Sequence, residues 1–157
     1  MSDTKLHLFS ESVIHCTDFL IHNHLPVPEY KLVDDFIEDD LYYACGCYKD
    51  KTKTVYVCLK KTGSLGKAGR QWSWPGYKID RTPYGVVAHE VGHHVDFTFI
   101  RSKQFNKEQR NEATRVFTIK KEKVSGYEPV PHEAFAESMR IFITNPDLLM
   151  LCCPNRS

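Results

Sequence analysis

A chain of 157 residues, 41% of them hydrophobic, has the length of one domain and enough apolar content for a core of its own. Its formal charge of +1 excludes a global attraction to nucleic acid or to an anionic membrane as the organising feature. No stretch approaches the roughly 20 apolar residues of a membrane span. The N-terminal MSDTKLHLFSESVIHC also lacks the basic start, apolar centre and cleavage site of a secretory leader, so a cytoplasmic location is expected. The six cysteines are accordingly expected to be reduced thiols. The pairs Cys45/Cys47 and Cys152/Cys153 do not have the C-x2-C spacing of structural zinc knuckles.

In chain order, residues 10 to 24 place Val13, Cys16, Thr17, Leu20 and Ile21 on one side at helical spacing. Ser10 or Ser12 would cap this packing helix, and Pro26 follows its end. In PEYKLVDDFIEDD, Leu32 with Phe36 and Val33 with Ile37 suggest a short amphipathic helix with an acidic, solvated face. LYYACGCY and KTVYVCLK, separated by the polar Asp50 to Lys53, read as a β-hairpin in which Cys45 faces Cys58 and Cys47 faces Tyr56, the cysteines filling a buried layer. Residues 62 to 81 form a glycine-rich loop carrying Trp72, Trp74 and Tyr77 among basic residues. It is not a phosphate loop, because Lys61 and Ala68 stand where the first glycine and the hydroxyl of that motif belong. A cleft wall that grips substrate fits it better.

The stretch Tyr84 to Asp96 carries the chemistry. His89, Glu90 and His93 form H-E-x-x-H, and on a helix this spacing sets both imidazoles on one face with the glutamate beside them. Thr82 can cap the helix, Pro83 suits its first position, and Val86, Val87, Val91 and Val95 supply an apolar face. A weakly periodic, charged region follows, with a helix expected near Lys107 to Phe117 and a turn at Ser125 and Gly126. PHEAFAESMRIFIT then predicts a second long helix, with Ala134, Phe135, Met139, Phe142 and Ile143 facing the core and Asn145-Pro146 ending it. A short apolar turn through Leu148, Leu149 and Leu151 precedes a brief tail, which would fit a truncated terminus.

Two histidines need a third protein ligand if a catalytic zinc is to keep one open position. Asp96, Glu133 and Glu137 are the candidates. His94 points about 100° from His93 and is a poor one. Glu133 and Glu137 share one helix face, and either could reach the ion. Asp96, seven residues past His89 on the same face, is better suited to orient a ligand histidine.

The pair H-E-V-G-H-H-V-D and E-A-F-A-E, with Glu133 forty positions after His93, resembles the gluzincin metallopeptidases. More narrowly, it is similar to the catalytic domain of anthrax lethal factor and to the Pro-Pro endopeptidases. The likeness covers residues 82 to 146. It implies Glu133 as the third zinc ligand, Glu137 bracing the site, a recurring aspartate at Asp96, and Tyr127 donating a hydrogen bond to the oxyanion. The first eighty residues show no such likeness. With the chain length of one domain, the expectation is an α+β, single-domain zincin-like fold over residues 1 to 157, with a small sheet or hairpin packed on the active-site helix and a C-terminal helix.

The expected function is a zinc-dependent endopeptidase: Zn2+ held by His89, His93 and Glu133 activates a water, and Glu90 is the general base. A protein or peptide substrate would lie extended along an edge strand, that of Lys53 to Lys60. The competing expectation is a catalytically weak binding or regulatory module that recognises a protein through the Trp72 to Arg81 loop. Nucleic acid is not expected as a partner.

Overall fold

The computed structural model describes residues 3–34, 45–63, 82–100, 106–116, 131–144 and 146–156. Helix α2 (Pro83–Val95) is the central element, against which the N-terminal helix, the hairpin and the helix at Pro131–Thr144 all pack. Its start is fixed as the sequence predicts. The Gly85 N–H donates to Thr82 Oγ1 at 3.2 Å, and Pro83 occupies a first-turn position where a missing N–H costs nothing. Val86, Val87, Val91 and Val95 are all buried.

Helix α1 (Asp3–His22) crosses α2 and buries Cys16 and Leu20 against its valines. It starts earlier than expected, so Ser12 is no cap: it is buried in mid-helix and its hydroxyl donates to the Tyr84 carbonyl at 2.8 Å. Ile21, expected in the core, is instead exposed. The helix ends in a paired turn. Leu25 N–H reaches back to the Leu20 carbonyl and His24 N–H to that of Ile21, with His24 at φ 57°. This arrangement satisfies the last carbonyls and redirects the chain at once into a strand.

That strand, β1 (Glu29–Leu32), corrects the helix expected from PEYKLVDDFIEDD; positions 35 to 40 of that segment lie outside the described residues. Pro28 disfavours a helical Val27, but the deciding influence is tertiary. A two-stranded hairpin is marginal alone, and β1 makes it three-stranded. The hairpin itself forms as read: β2 (Gly46–Lys49) pairs antiparallel with β3 (Thr54–Val57), with Cys47 opposite Tyr56. Cys58 N–H donates to the Cys45 carbonyl at 2.9 Å. Cys58 is buried, whereas Cys45 and Cys47 are half-buried, and the five cysteines whose side chains are described are free thiols.

β1 pairs parallel with β3, so the order is β1-β3-β2 and β3 is central. The expectation that a substrate would pair with the Lys53 to Lys60 strand is therefore overturned: both edges of β3 are already hydrogen-bonded. Val55 and Val57 project from it into the core with Val87, Ala88 and Val91 of α2.

Helix α3 (Lys107–Val116) forms where expected, and position 117 lies outside the described residues. Asn106 and Gln109 cap it reciprocally, at 2.9 and 2.8 Å. Helix α4 (Pro131–Thr144) packs along α2, and α5 (Pro146–Cys152) folds back on α4 where an apolar turn was expected. Four residues of the predicted stripe of α4 face the core: Ala134 is buried, and Phe135, Met139 and Ile143 pack against the main cluster, while Phe142 is exposed. Ala136, Glu137, Ser138, Arg140 and Ile141 are buried besides. The architecture is thus α+β, five α-helices and a three-stranded sheet among the described residues. None of the described helices is long and apolar enough to cross a membrane.

Candidate metal centre

The centre forms where α2 and α4 come closest. Gly92 permits the approach: a Cβ there would lie 2.8 Å from Ala136 Cα and 3.0 Å from its carbonyl oxygen. Only hydrogen fits between the helices at that level. Ala136 lies between Glu133 and Glu137 in sequence, so the same contact carries both carboxylates to the histidine face of α2.

His89 and His93 stand one turn apart with ring centroids 4.9 Å apart and planes at 80°. One ligand atom each from His89, Glu90 and His93 lies within 4.8 Å of the others, a group able to hold a metal ion. Glu133 Oε1 is 3.4 Å from His89 Nε2 and 2.5 Å from His93 Nε2. That oxygen is buried and makes no hydrogen bond of ordinary geometry. A buried carboxylate oxygen converging with two imidazole nitrogens is what a cation between them requires, and a nitrogen and oxygen donor set suits first-row divalent ions.

The outer nitrogen of His89 is also engaged. Nδ1 lies 2.7 Å from Glu137 Oε2, and since a carboxylate only accepts, Nδ1 carries a proton and Nε2 is the nitrogen that faces the centre, able to give its lone pair to a cation that displaces its proton. Glu137 is held in turn by Arg140, whose Nε donates to Oε2 at 3.0 Å and Nη2 to Oε1 at 3.2 Å.

Charge is concentrated here with little water. Burial opposes protonation of His89, but the carboxylates of Glu133 and Glu137 outweigh it and push its pKa up to about 10. Burial raises the pKa of Glu90, and the two histidines oppose that rise only in part. For Glu133 burial is outweighed by the two histidines, and for Glu137 by Arg140 and His89; both carboxyls are held well below the usual range. Cys47, near enough to feel Glu90, is no thiolate: burial first and Glu90 second push it up to about 11.

β2 forms a wall beside the general-base candidate. A Cβ on Gly46 would press on Val86 Cγ1 and stand 3.1 Å from Glu90 Cγ. His94, as expected, turns away from the centre. It is buried, Nε2–H donates to the Pro26 carbonyl at 2.8 Å, and Nδ1 accepts from the Tyr48 hydroxyl at 2.9 Å. Asp96 is buried just past α2, its N–H bonded to the carbonyls of Gly92 and His93. Tyr127 and the Trp72 to Arg81 loop lie outside the described residues.

The structure thus brings together His89, Glu90, His93, Glu133 and Glu137, and adds two residues that sequence reading passed over. Arg140 is one. Its signal was a charge three residues past Glu137 inside an apolar run. His132 is the other: it is exposed, with its ring 5.9 Å from that of His93. Comparison with protein-family models, curated proteins and solved structures finds no match to this chain. The functional reading therefore rests on the geometry of the centre and on its motifs.

Proposed function

We propose that the protein is a zinc-dependent endopeptidase of gluzincin type, with His89, His93 and Glu133 as the metal ligands. The observation that carries the reading is the convergence of Glu133 Oε1 on the Nε2 atoms of His89 and His93, with the buried Glu90 carboxylate beside them. Bound there, Zn2+ would supply a Lewis acid that polarises the scissile carbonyl and acidifies a water.

The chain's own residues supply the rest. Glu90 accepts the proton of the attacking water and returns it to the leaving amine. Its burial lifts its pKa above that of a solvated glutamate, which makes it the stronger base. Glu137 holds His89 in the tautomer that offers Nε2. Tyr127 is assigned as hydrogen-bond donor to the oxyanion. The substrate backbone would pair with β2, which among the described residues is the outer strand next to Glu90.

The test is mass-spectrometric profiling of a proteome-derived peptide library with zinc-loaded wild type and Glu90→Gln. New peptide termini are expected with wild type only. Identical profiles from the two proteins would overturn the peptidase reading.

A further inference from the structure

We propose that Arg140 is a positioning residue for the metal centre: its guanidinium grips both oxygens of Glu137 and so aims Glu137 Oε2 at His89 Nδ1. The inference rests on the metal reading above and extends it by one residue.

The geometry is a relay of fixed groups. Arg140 and Glu137 are both 1% exposed. Arg140 Nε and Oε2 are 3.0 Å apart, Nη2 and Oε1 3.2 Å, and the shared Oε2 is 2.7 Å from His89 Nδ1. A carboxylate held at both oxygens by a planar fork cannot rotate away from the imidazole, whereas one held by a single donor can. With Glu137 fixed, Nδ1 keeps its proton and Nε2 stays the nitrogen that faces His93 and Glu133, the one a metal ion would take.

Charge balance points the same way. Glu90, Glu133 and Glu137 place three carboxylates around two imidazoles in a nearly dry site. One divalent cation and one guanidinium balance them, and among the described residues Arg140 supplies a guanidinium hydrogen-bonded into the cluster. Stability alone does not account for the pair, because a buried ion pair is often no better than apolar residues of the same volume. Arg140 also occupies a position one turn past Glu137 on the side of α4 where Ala134, Ala136 and Ile141 are buried. An apolar residue would be the simpler choice there.

Zinc affinity, measured by competition with a chromophoric chelator, tests the inference on wild type, Arg140→Met, Arg140→Lys, Glu137→Gln and the double variant Glu137→Gln/Arg140→Met. Arg140→Met is expected to bind zinc about 10- to 100-fold more weakly, the range for groups that orient metal ligands. The double variant is expected to match Glu137→Gln, because Arg140 acts only through that carboxylate. In the cobalt-loaded proteins the visible ligand-field bands should shift in Arg140→Met and Arg140→Lys, a change in ligand geometry that a loss of stability alone does not produce. If Arg140→Met proves unfolded by circular dichroism, Arg140→Lys decides. Weaker zinc binding and a shifted cobalt spectrum support the role, and wild-type values for both overturn it. Losses that multiply in the double variant also overturn it. A wild type that takes up no zinc sinks the metal reading itself, whereas a wild type that binds zinc no better than Arg140→Met sinks only the role given to Arg140.

Discussion

Helix α2 has two buried sides with opposite chemistry. Toward α1 and the sheet it presents Val87, Ala88 and Val91 to Cys16, Leu20, Val55 and Val57, a dry apolar contact. Toward α4 it presents His89 and His93 to Glu133 and Glu137, backed by Arg140. Removing apolar surface from water stabilises the first side in proportion to its area. Desolvation makes the second side a net expense unless its groups satisfy one another or a cation. One side thus holds the helix in place, and the other uses the rigidity this provides to keep charged groups in a fixed array.

The sharpest way to separate the two sides is to change one polar atom. Glu90→Gln is expected to lower kcat roughly 10²- to 10⁴-fold, about 3–5 kcal/mol in the barrier, while zinc content and thermal unfolding stay as in wild type. Peptide hydrolysis and metal analysis on one preparation check it, and wild-type turnover would end the general-base assignment. The opposite substitution is Leu20→Ala. Leu20 is fully buried on the apolar side, and its truncation is expected to cost about 3 kcal/mol in urea unfolding of the metal-free protein. Zinc affinity of the folded fraction should not change. A large fall in that affinity would show the two sides to be coupled rather than divided.

What could be read in the sequence divides along a similar line. His89, Glu90 and His93, the Thr82 cap, the valine face and the Cys47–Tyr56 register all follow from spacings of a few residues, which the chain's own geometry enforces. The strand at Glu29–Leu32 was misread because its own side chains fit a helix, and it is the open edge of β3 that draws it straight. Ser12 has the chemistry of a cap, but the Tyr84 carbonyl gives it a different use. Glu133 and Glu137 were legible as ligand candidates from their shared helix face, yet nothing local says that Arg140 turns inward beneath them. Nor does any local signal mark Gly92 as the point of closest approach. A glycine inside H-E-V-G-H reads as a helix weakness until Ala136 is seen against it.

Gly92→Ala probes that seam. Two effects compete: alanine favours the helix by about 1 kcal/mol, while overpacking costs about 1–3 kcal/mol. Overpacking should win, because the obstacles are backbone atoms of α4, which cannot rotate aside, with Met139 Cβ a further 3.1 Å contact. A net loss of up to about 2 kcal/mol is expected in urea unfolding. Zinc affinity should fall with it, since α4 must shift outward carrying Glu133 and Glu137. Full zinc affinity in Gly92→Ala would mean that the spacing of α2 and α4 does not set the ligand geometry.

Gly46→Ala touches both sides of α2 through one added methyl, and its expected effect on stability is the smallest. The methyl meets side chains, Val86 Cγ1 on the apolar side and Glu90 Cγ on the polar one, rather than helix backbone. Alanine also restricts the unfolded chain, which returns about 0.4–1 kcal/mol where the backbone accepts it. Net stability should therefore change by under about 1 kcal/mol. As the proposed general base, Glu90 would have less freedom than that figure suggests, because its carboxylate would have to stay within hydrogen-bond reach of the attacking water. The glycine is thus expected to matter more for turnover than for folding: kcat should drop by about an order of magnitude at unchanged zinc affinity, a misplacement effect. Parallel losses of turnover and zinc would instead mean that β2 supports the ligand histidines, and that the polar side of α2 is held from the sheet as well as from α4.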